Sequence, residues 1–150
     1  MKKFELTTDF ITAFGIKLFR IKALVEFGTV KAGELGGYIE KEENLDHGGD
    51  AWVYGNARVC GDARVCGDAW VSGDADYACV KGFGTEYRNT TFFRGKDGTV
   101  KVSCGCFFGT IPEFRKQVEK TRSGKIAREY LMIADLMELH FSKDGESGDD

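Results

Sequence analysis

The chain has no apolar run approaching the length of a membrane-spanning helix, so a helical membrane protein is excluded at the outset. A secretory leader is also missing, because Met1-Lys2-Lys3 runs into Phe4-Glu5-Leu6-Thr7-Thr8-Asp9 where an apolar core would be needed, and the cytoplasm is the expected compartment. The five cysteines (Cys60, Cys66, Cys79, Cys104, Cys106) form an odd set that cannot all pair within one chain, and a reducing compartment would keep them as thiols. Histidine is scarce, with only His47 and His140 available, and no Cys/His or Ser/His arrangement for nucleophilic catalysis is visible. Phosphate loops of the Walker or dinucleotide type are absent, since Gly82-Phe83-Gly84 is too short and precedes a strand pattern. Cys104-Gly105-Cys106 is too closely spaced for the usual zinc pair, so neither a metal nor a cofactor is expected.

The charge present is unevenly distributed. The formal net charge is -3, yet residues 79 to 128 hold eleven basic side chains against four acidic ones, a surplus of +7, while the flanking segments are acidic. A locally cationic surface on an acidic protein points to a small anionic ligand more than to long nucleic acid, which needs an extended basic face.

From Gly49 the chain reads in sixes: GDAWVY, GNARVC, GDARVC, GDAWVS, GDADYA. Alanine recurs at 51, 57, 63, 69 and 75, followed two positions later by Val53, Val59, Val65, Val71 and Tyr77. An Ala-x-Val triplet puts two side chains on one face of a short strand, and Gly-Asp or Gly-Asn then turns the chain. Hexads of this kind predict a short parallel β-helix. If three hexads make one coil, residues eighteen apart stack: Trp52 with Trp70, Arg58 with Asp76, Val53 with Val71, Val59 with Tyr77. The Trp52/Trp70 face is then expected to be a subunit interface, in preference to a ligand platform. Lys81 falls on an inward position, so the coil should stop near Ala78, and so short a stub needs caps and oligomerisation. Phe4 to Asp9 and Gly15 to Ala23 read as two capping strands. The expected divisions are a β cap over 1–32, coils over 33–81, a further module over 82–141 and an acidic, disordered tail over 142–150.

Residues 19 to 59, FRIKALVEFGTVKAGELGGYIEKEENLDHGGDAWVYGNARV, resemble the opening of the left-handed hexapeptide-repeat, polymer-forming-cytoskeletal-like family. Residues 82 to 141 resemble a module of unsettled role that follows such repeats in phage-associated proteins. The resemblance implies a left-handed coil and a homotrimer, and it transfers no catalytic residue.

After the coil, Thr85 to Arg94 and Thr99 to Cys104 read as a hairpin around Gly95-Lys96-Asp97-Gly98. Thr110-Ile111-Pro112-Glu113 has the form of a capping box opening a helix to about Arg122. A second helix is expected from about Lys125 to Phe141, with Ile126, Tyr130, Ile133, Met137 and Phe141 on one stripe. Leu131, Leu136 and Leu139 lie on its other faces, so it should pack on the hairpin and on another subunit, with Tyr130 and Met137 among the interface residues.

The expected ligand site lies between Gly82 and Arg94. Arg88 and Arg94 are six apart on a strand, hence on one face, with Thr90 and Phe92 between them; Lys101 lies on the partner strand. Two guanidinium groups and a hydroxyl can grip a phosphate, and Phe83, Tyr87 or Phe92 can stack on a base. The leading expectation is a non-enzymatic, oligomeric binding protein for a small phosphorylated or nucleotide-like ligand. The phage resemblance extends this to an anti-defence role, sequestering an immune-signalling nucleotide in the host cytoplasm. The alternative is a hexapeptide-repeat acyltransferase with His47 as general base. A scaffold that polymerises through coil ends is the third reading.

Overall fold

The computed structural model describes residues 2–13, 15–73, 76–86, 89–105 and 107–142. The tail after Ser142 and the positions of Tyr87, Arg88 and Cys106 lie outside the described residues. Two hydrophobic cores share one strand between them.

The first core begins with β1 (Phe4–Ala13) and β2 (Ile16–Ala23), whose sequences FELTTDFITA and IKLFRIKA carry the β-branched and aromatic side chains that suit a pleated surface. They pair antiparallel down to Ala13↔Ile16, and Gly15 at φ 79° supplies the left-handed turn residue. β3 (Leu35–Ile39) adds on through Phe19↔Ile39. Its two glycines let neighbouring backbone come close: a Cβ on Gly36 would lie 2.6 Å from the Val53 carbonyl oxygen, and one on Gly37 2.7 Å from that of Ala57.

The hexads then supply three two-residue strands, β4 (Trp52–Val53), β5 (Arg58–Val59) and β6 (Trp70–Val71). Ala51, Ala57, Ala63 and Ala69 and the valines at 53, 59, 65 and 71 are all buried in the first core, as an inward Ala-x-Val face requires. Trp52 pairs in parallel with Trp70 and Val53 with Val71.

The expected left-handed parallel β-helix is not formed. The fold is mainly β with two C-terminal helices, and its larger sheets are mixed (β1-β2-β3-β5) or antiparallel (β10-β9-β8-β7). The reason lies in turn length. Trp52 and Trp70 are eighteen residues apart, but the other parallel partners, Tyr38 with Arg58 and Leu45 with Val65, are twenty apart, so no constant coil length is maintained. Growth is also blocked at both sides: β2 closes the β3 edge antiparallel, and after Val71 the chain enters an antiparallel sheet. Asp76, expected against Arg58, instead accepts from Arg94 Nε at 3.3 Å and from the Ser72 hydroxyl at 3.0 Å.

The second sheet contains β7 (Tyr77–Val80), β8 (Thr90–Arg94), β9 (Val100–Cys104) and β10 (Phe107–Thr110), all antiparallel. β8 is the shared strand. Alternation sends Phe93 into the first core and Phe92 into the second, where α1 (Ile111–Thr121) and α2 (Gly124–Phe141) cover the sheet. Thr110 caps α1 through a reciprocal pair: its Oγ1 accepts from Glu113 N at 3.3 Å and its own N–H donates to Glu113 Oε1 at 2.8 Å. Backbone hydrogen bonding to Thr110 comes first among the causes that hold the Glu113 carboxyl below its ordinary range. Among the described residues no helix is long and apolar enough to cross a membrane.

Candidate anion-binding cleft

The two cores meet along a seam where the hexad turn at residues 61–64 faces β8 and β9. Ala63 and Val65 point into the first core, so Arg64 between them points outward, and it is exposed. On the sheet side Thr91 pairs with Ser103, and both lie on the face turned to the hexads. Thr91 is buried and joins the layers: its Oγ1 accepts from Arg64 N at 3.1 Å and donates to Asn89 Oδ1 at 2.8 Å. The resulting cleft has a volume of about 190 Å³ and is lined by Asp62, Arg64, Asn89, Thr91, Ser103 and Gly105.

Its electrostatics are positive. The one lining carboxylate, Asp62, is engaged twice, by Lys81 and by Lys41 Nζ at 3.4 Å. Lys81 first, then Lys41, hold that carboxyl below the usual range. Among the described residues no carboxylate pairs with the Arg64 guanidinium. Cys66 sits behind the cleft with its thiol pushed up by burial, against a hydrogen bond from Ser103 and the nearby Arg64 charge. The wall thus offers a guanidinium, a carboxamide and hydroxyls to one small volume.

The residues expected to grip an anion are placed differently. Thr90 is buried with its hydroxyl against Cys104 Sγ at 3.2 Å, and Phe92 is fully enclosed under the helices. Phe83 packs at the edge of that same core. Arg94 is engaged by Asp76 at 3.3 Å, by the Phe141 carbonyl at 3.4 Å and by the Phe141 ring. Lys101 points to the hexad side and pairs with Asp68 at 3.1 Å. Tyr87 and Arg88 fall outside the described residues.

Three of the four expected interface residues lie inside the single chain. Trp52 is completely buried because Phe4 and Phe27 close over it edge-on, at 6.5 and 5.2 Å between ring centroids. Tyr130 and Met137 belong to the second core. Trp70 alone is half-buried, stacked on Tyr54 at 4.8 Å with Lys96 Nζ 5.4 Å from its ring.

His47 has both ring nitrogens committed. Nδ1 accepts from Lys3 N at 3.0 Å, so Nε2 carries the proton and donates to Glu42 Oε2 at 2.7 Å, while the ring stacks on Phe4 at 4.2 Å. That geometry positions the N-terminal strand and aims no nitrogen at a cleft. His140 is exposed at the end of α2, edge-on to Phe141. No group of three or more His, Cys, Asp or Glu able to hold a metal occurs among the described residues.

No protein-family model matches the chain and no curated protein matches it. The resemblance to the hexapeptide-repeat family is therefore withdrawn, since the fold has no solenoid and no relative supports the likeness. The trimer, the phage association and the acyltransferase alternative rested on that resemblance and lose their ground with it.

Arg64 was not among the residues the sequence singled out. Its signal is weak but present: it holds the outward middle position of an Ala-x-Val triplet, as Arg58 does one hexad earlier. What places it beside the cleft is a contact between its backbone N–H and the Thr91 hydroxyl, twenty-seven residues away, that no local pattern shows.

Proposed function

We propose that this chain is a non-catalytic binding protein that holds a small phosphorylated ligand by its anionic group in the Arg64 cleft. The observation that carries this reading is a guanidinium without a carboxylate partner, set beside Asn89, Thr91 and Ser103, in a fold where Arg94, Lys101 and Arg115 are each paired. Arginine presents planar, charge-assisted donors that suit phosphate oxygens, and the Asn89 side-chain amide, whose oxygen accepts from Thr91, has its N–H groups to add. At about 190 Å³ the cleft is smaller than the roughly 300 to 1,000 Å³ of pockets that enclose a whole ligand, so it takes a phosphate-sized head and leaves the rest of the molecule outside. Lys81, Arg94, Lys101 and Arg115 are each held in separate ion pairs, which favours a small anion over long nucleic acid. Among the described residues Cys66, Cys79 and Cys104 are free thiols, which suits a reducing compartment, and the cytoplasm is the placement we propose.

Calorimetric titration with inorganic phosphate and with nucleoside monophosphates tests the reading. Binding should be lost in Arg64→Ala, weakened in Ser103→Ala and kept in Arg115→Ala, whose side chain is held on the helices by Asp135 and Glu138. Equal affinity in Arg64→Ala and the parent protein would reject the site.

A further inference from the structure

β10 is the end strand of the antiparallel sheet and pairs on one side only, with β9. The Gly95 N–H donates to the Thr99 carbonyl at 2.8 Å, so the residues alternating from Thr99, namely Lys101 and Ser103, turn their backbone groups to β8. Val102 and Cys104 turn theirs to β10, where they meet Gly109 and Phe107. Phe108 and Thr110 are left with backbone groups pointing away from the sheet. The Thr110 N–H is taken by Glu113 Oε1 at 2.8 Å, and its carbonyl opens α1. The free edge is therefore the N–H and C=O pair of Phe108.

A cleft of about 380 Å³ lies on this edge, lined by Phe107, Phe108, Glu113, Lys116, Gln117 and Lys120. Consecutive strand residues point to opposite faces, so a cleft that both phenylalanines line runs over the edge itself. Phe107 packs on Phe114 of α1 at 5.7 Å between ring centroids, which puts the helix on the Phe107 face. Phe108 faces the hexads: it is 46% exposed, stacked on Phe93 at 6.1 Å and set against Gly67, where a Cβ would lie 2.5 Å from its ring. Lys116 and Lys120 are exposed and one turn apart on α1, and among the described residues no carboxylate pairs with either. Glu113 is the one carboxylate in the lining and is bound to the Thr110 N–H, while Glu119 of the same helix does not line the cleft.

We propose that this edge docks an extended acidic peptide of a partner protein, which adds to β10 as a further strand. Strand addition draws affinity from main-chain hydrogen bonds, here to Phe108, and specificity from alternate side chains. Lysines four apart on a helix are separated by about 6 Å along its axis, and alternate residues of a strand by about 6.6 Å. Two acidic side chains at alternate positions on the α1 side therefore match Lys116 and Lys120. The residue between them faces the Phe108 side, where an apolar group fits. A second copy of β10 in that place would set its own Lys116 and Lys120 against the first pair, so self-pairing is disfavoured. Single-stranded nucleic acid would meet the lysines but has no strand backbone to lay on Phe108. The edge shares no lining residue with the Arg64 cleft, and the two readings stand or fall separately.

Fluorescence anisotropy with the full chain tests this, using a labelled, capped peptide of alternating glutamate and valine. Binding should saturate, weaken as salt is raised, and fall by about tenfold or more in Lys116→Glu with Lys120→Glu. Lys125→Glu with Arg128→Glu, an equal charge change on α2, should leave it nearly unchanged. An N-methylated peptide keeps the charges and loses the N–H donors, and it should bind about tenfold more weakly or worse. Binding that never saturates, or equal binding by a lysine–valine peptide, would overturn the proposal. Full affinity in Lys116→Glu with Lys120→Glu would overturn the role of the lysines, and full affinity of the N-methylated peptide would overturn strand addition. An oligothymidylate of the same charge that binds more tightly than the peptide would overturn the choice of partner.

Discussion

Asn44→Ala removes four hydrogen bonds at a position closed to water. Asn44 is completely buried in the short 3-10 turn Glu42–Asn44. Its Oδ1 accepts from Glu40 N at 3.1 Å and Lys41 N at 3.0 Å, and its Nδ2 donates to Gly61 O at 3.1 Å and Ala63 O at 2.9 Å. The side chain thus joins the turn after β3 to the hexad turn that leads into the Arg64 cleft. Alanine leaves the Lys41 N–H and the Gly61 and Ala63 carbonyls without these partners, while the Glu40 N–H keeps its bond to the Val59 carbonyl at 3.1 Å. A buried polar group left unpaired costs about 1 to 3 kcal/mol. Ala63 is buried and should bear that cost in full, whereas Lys41 and Gly61 are residues that water reaches, which relieves part of theirs. The expected loss is about 3 kcal/mol of unfolding free energy, read by urea denaturation with an unchanged slope. Asn44→Asp should be more damaging at neutral pH, because a carboxylate would face the Gly61 and Ala63 carbonyls. Its folded-state pKa would be raised above the unfolded value, so the variant should be most stable in acid and lose stability as pH rises through that raised value. A loss below about 1 kcal/mol for Asn44→Ala would refute the accounting.

Gly37→Ala should destabilise by about 2 kcal/mol or more in thermal melts, since its Cβ would meet the Ala57 carbonyl and a Val53 methyl at 2.7 Å each. Lys3 is buried with its ammonium donating to the carbonyls of Gly48, Gly49 and Ala51, and burial lowers its pKa to about 8 against the attraction of Asp46 and Asp50. The unfolded chain then binds more protons between that value and about 10.5, so stability should rise with pH across this window by about 3 kcal/mol, a rise that Lys3→Met should abolish in urea titrations. Thr110→Ala should cost about 1 kcal/mol through loss of the α1 cap, measured by thermal denaturation.

Local patterns were legible in the sequence and their assembly was not. The inward alanines and valines, the β8–β9 hairpin with Arg94↔Val100 at its end, and the Thr110 capping box all follow from residues within a few positions of one another. The regular hexads suggested a coil that repeats, yet the register between segments depends on loop lengths, which change from twenty to eighteen residues per return. Trp52 and Trp70 do lie side by side, but Phe4 and Phe27 arrive from segments far away in the chain and seal only Trp52. The strand expected to show a wet cationic face is instead packed on both sides, because two helices cover Phe92 and the hexads cover Phe93. A charge surplus in one segment says nothing about which cations acidic partners will engage; Asp68, Asp76 and Asp62 take Lys101, Arg94 and Lys81, and among the described residues no carboxylate pairs with Arg64.

The most direct test of the Arg64 cleft as an anion site is a nuclear magnetic resonance titration of the labelled protein with inorganic phosphate at low ionic strength. Saturable shifts confined to the Arg64 side-chain N–H and the Asn89, Thr91, Ser103 and Gly105 amides, absent in Arg64→Ala, are the predicted result. Shifts that fail to saturate, or that spread evenly over the lysines and persist in Arg64→Ala, would contradict it.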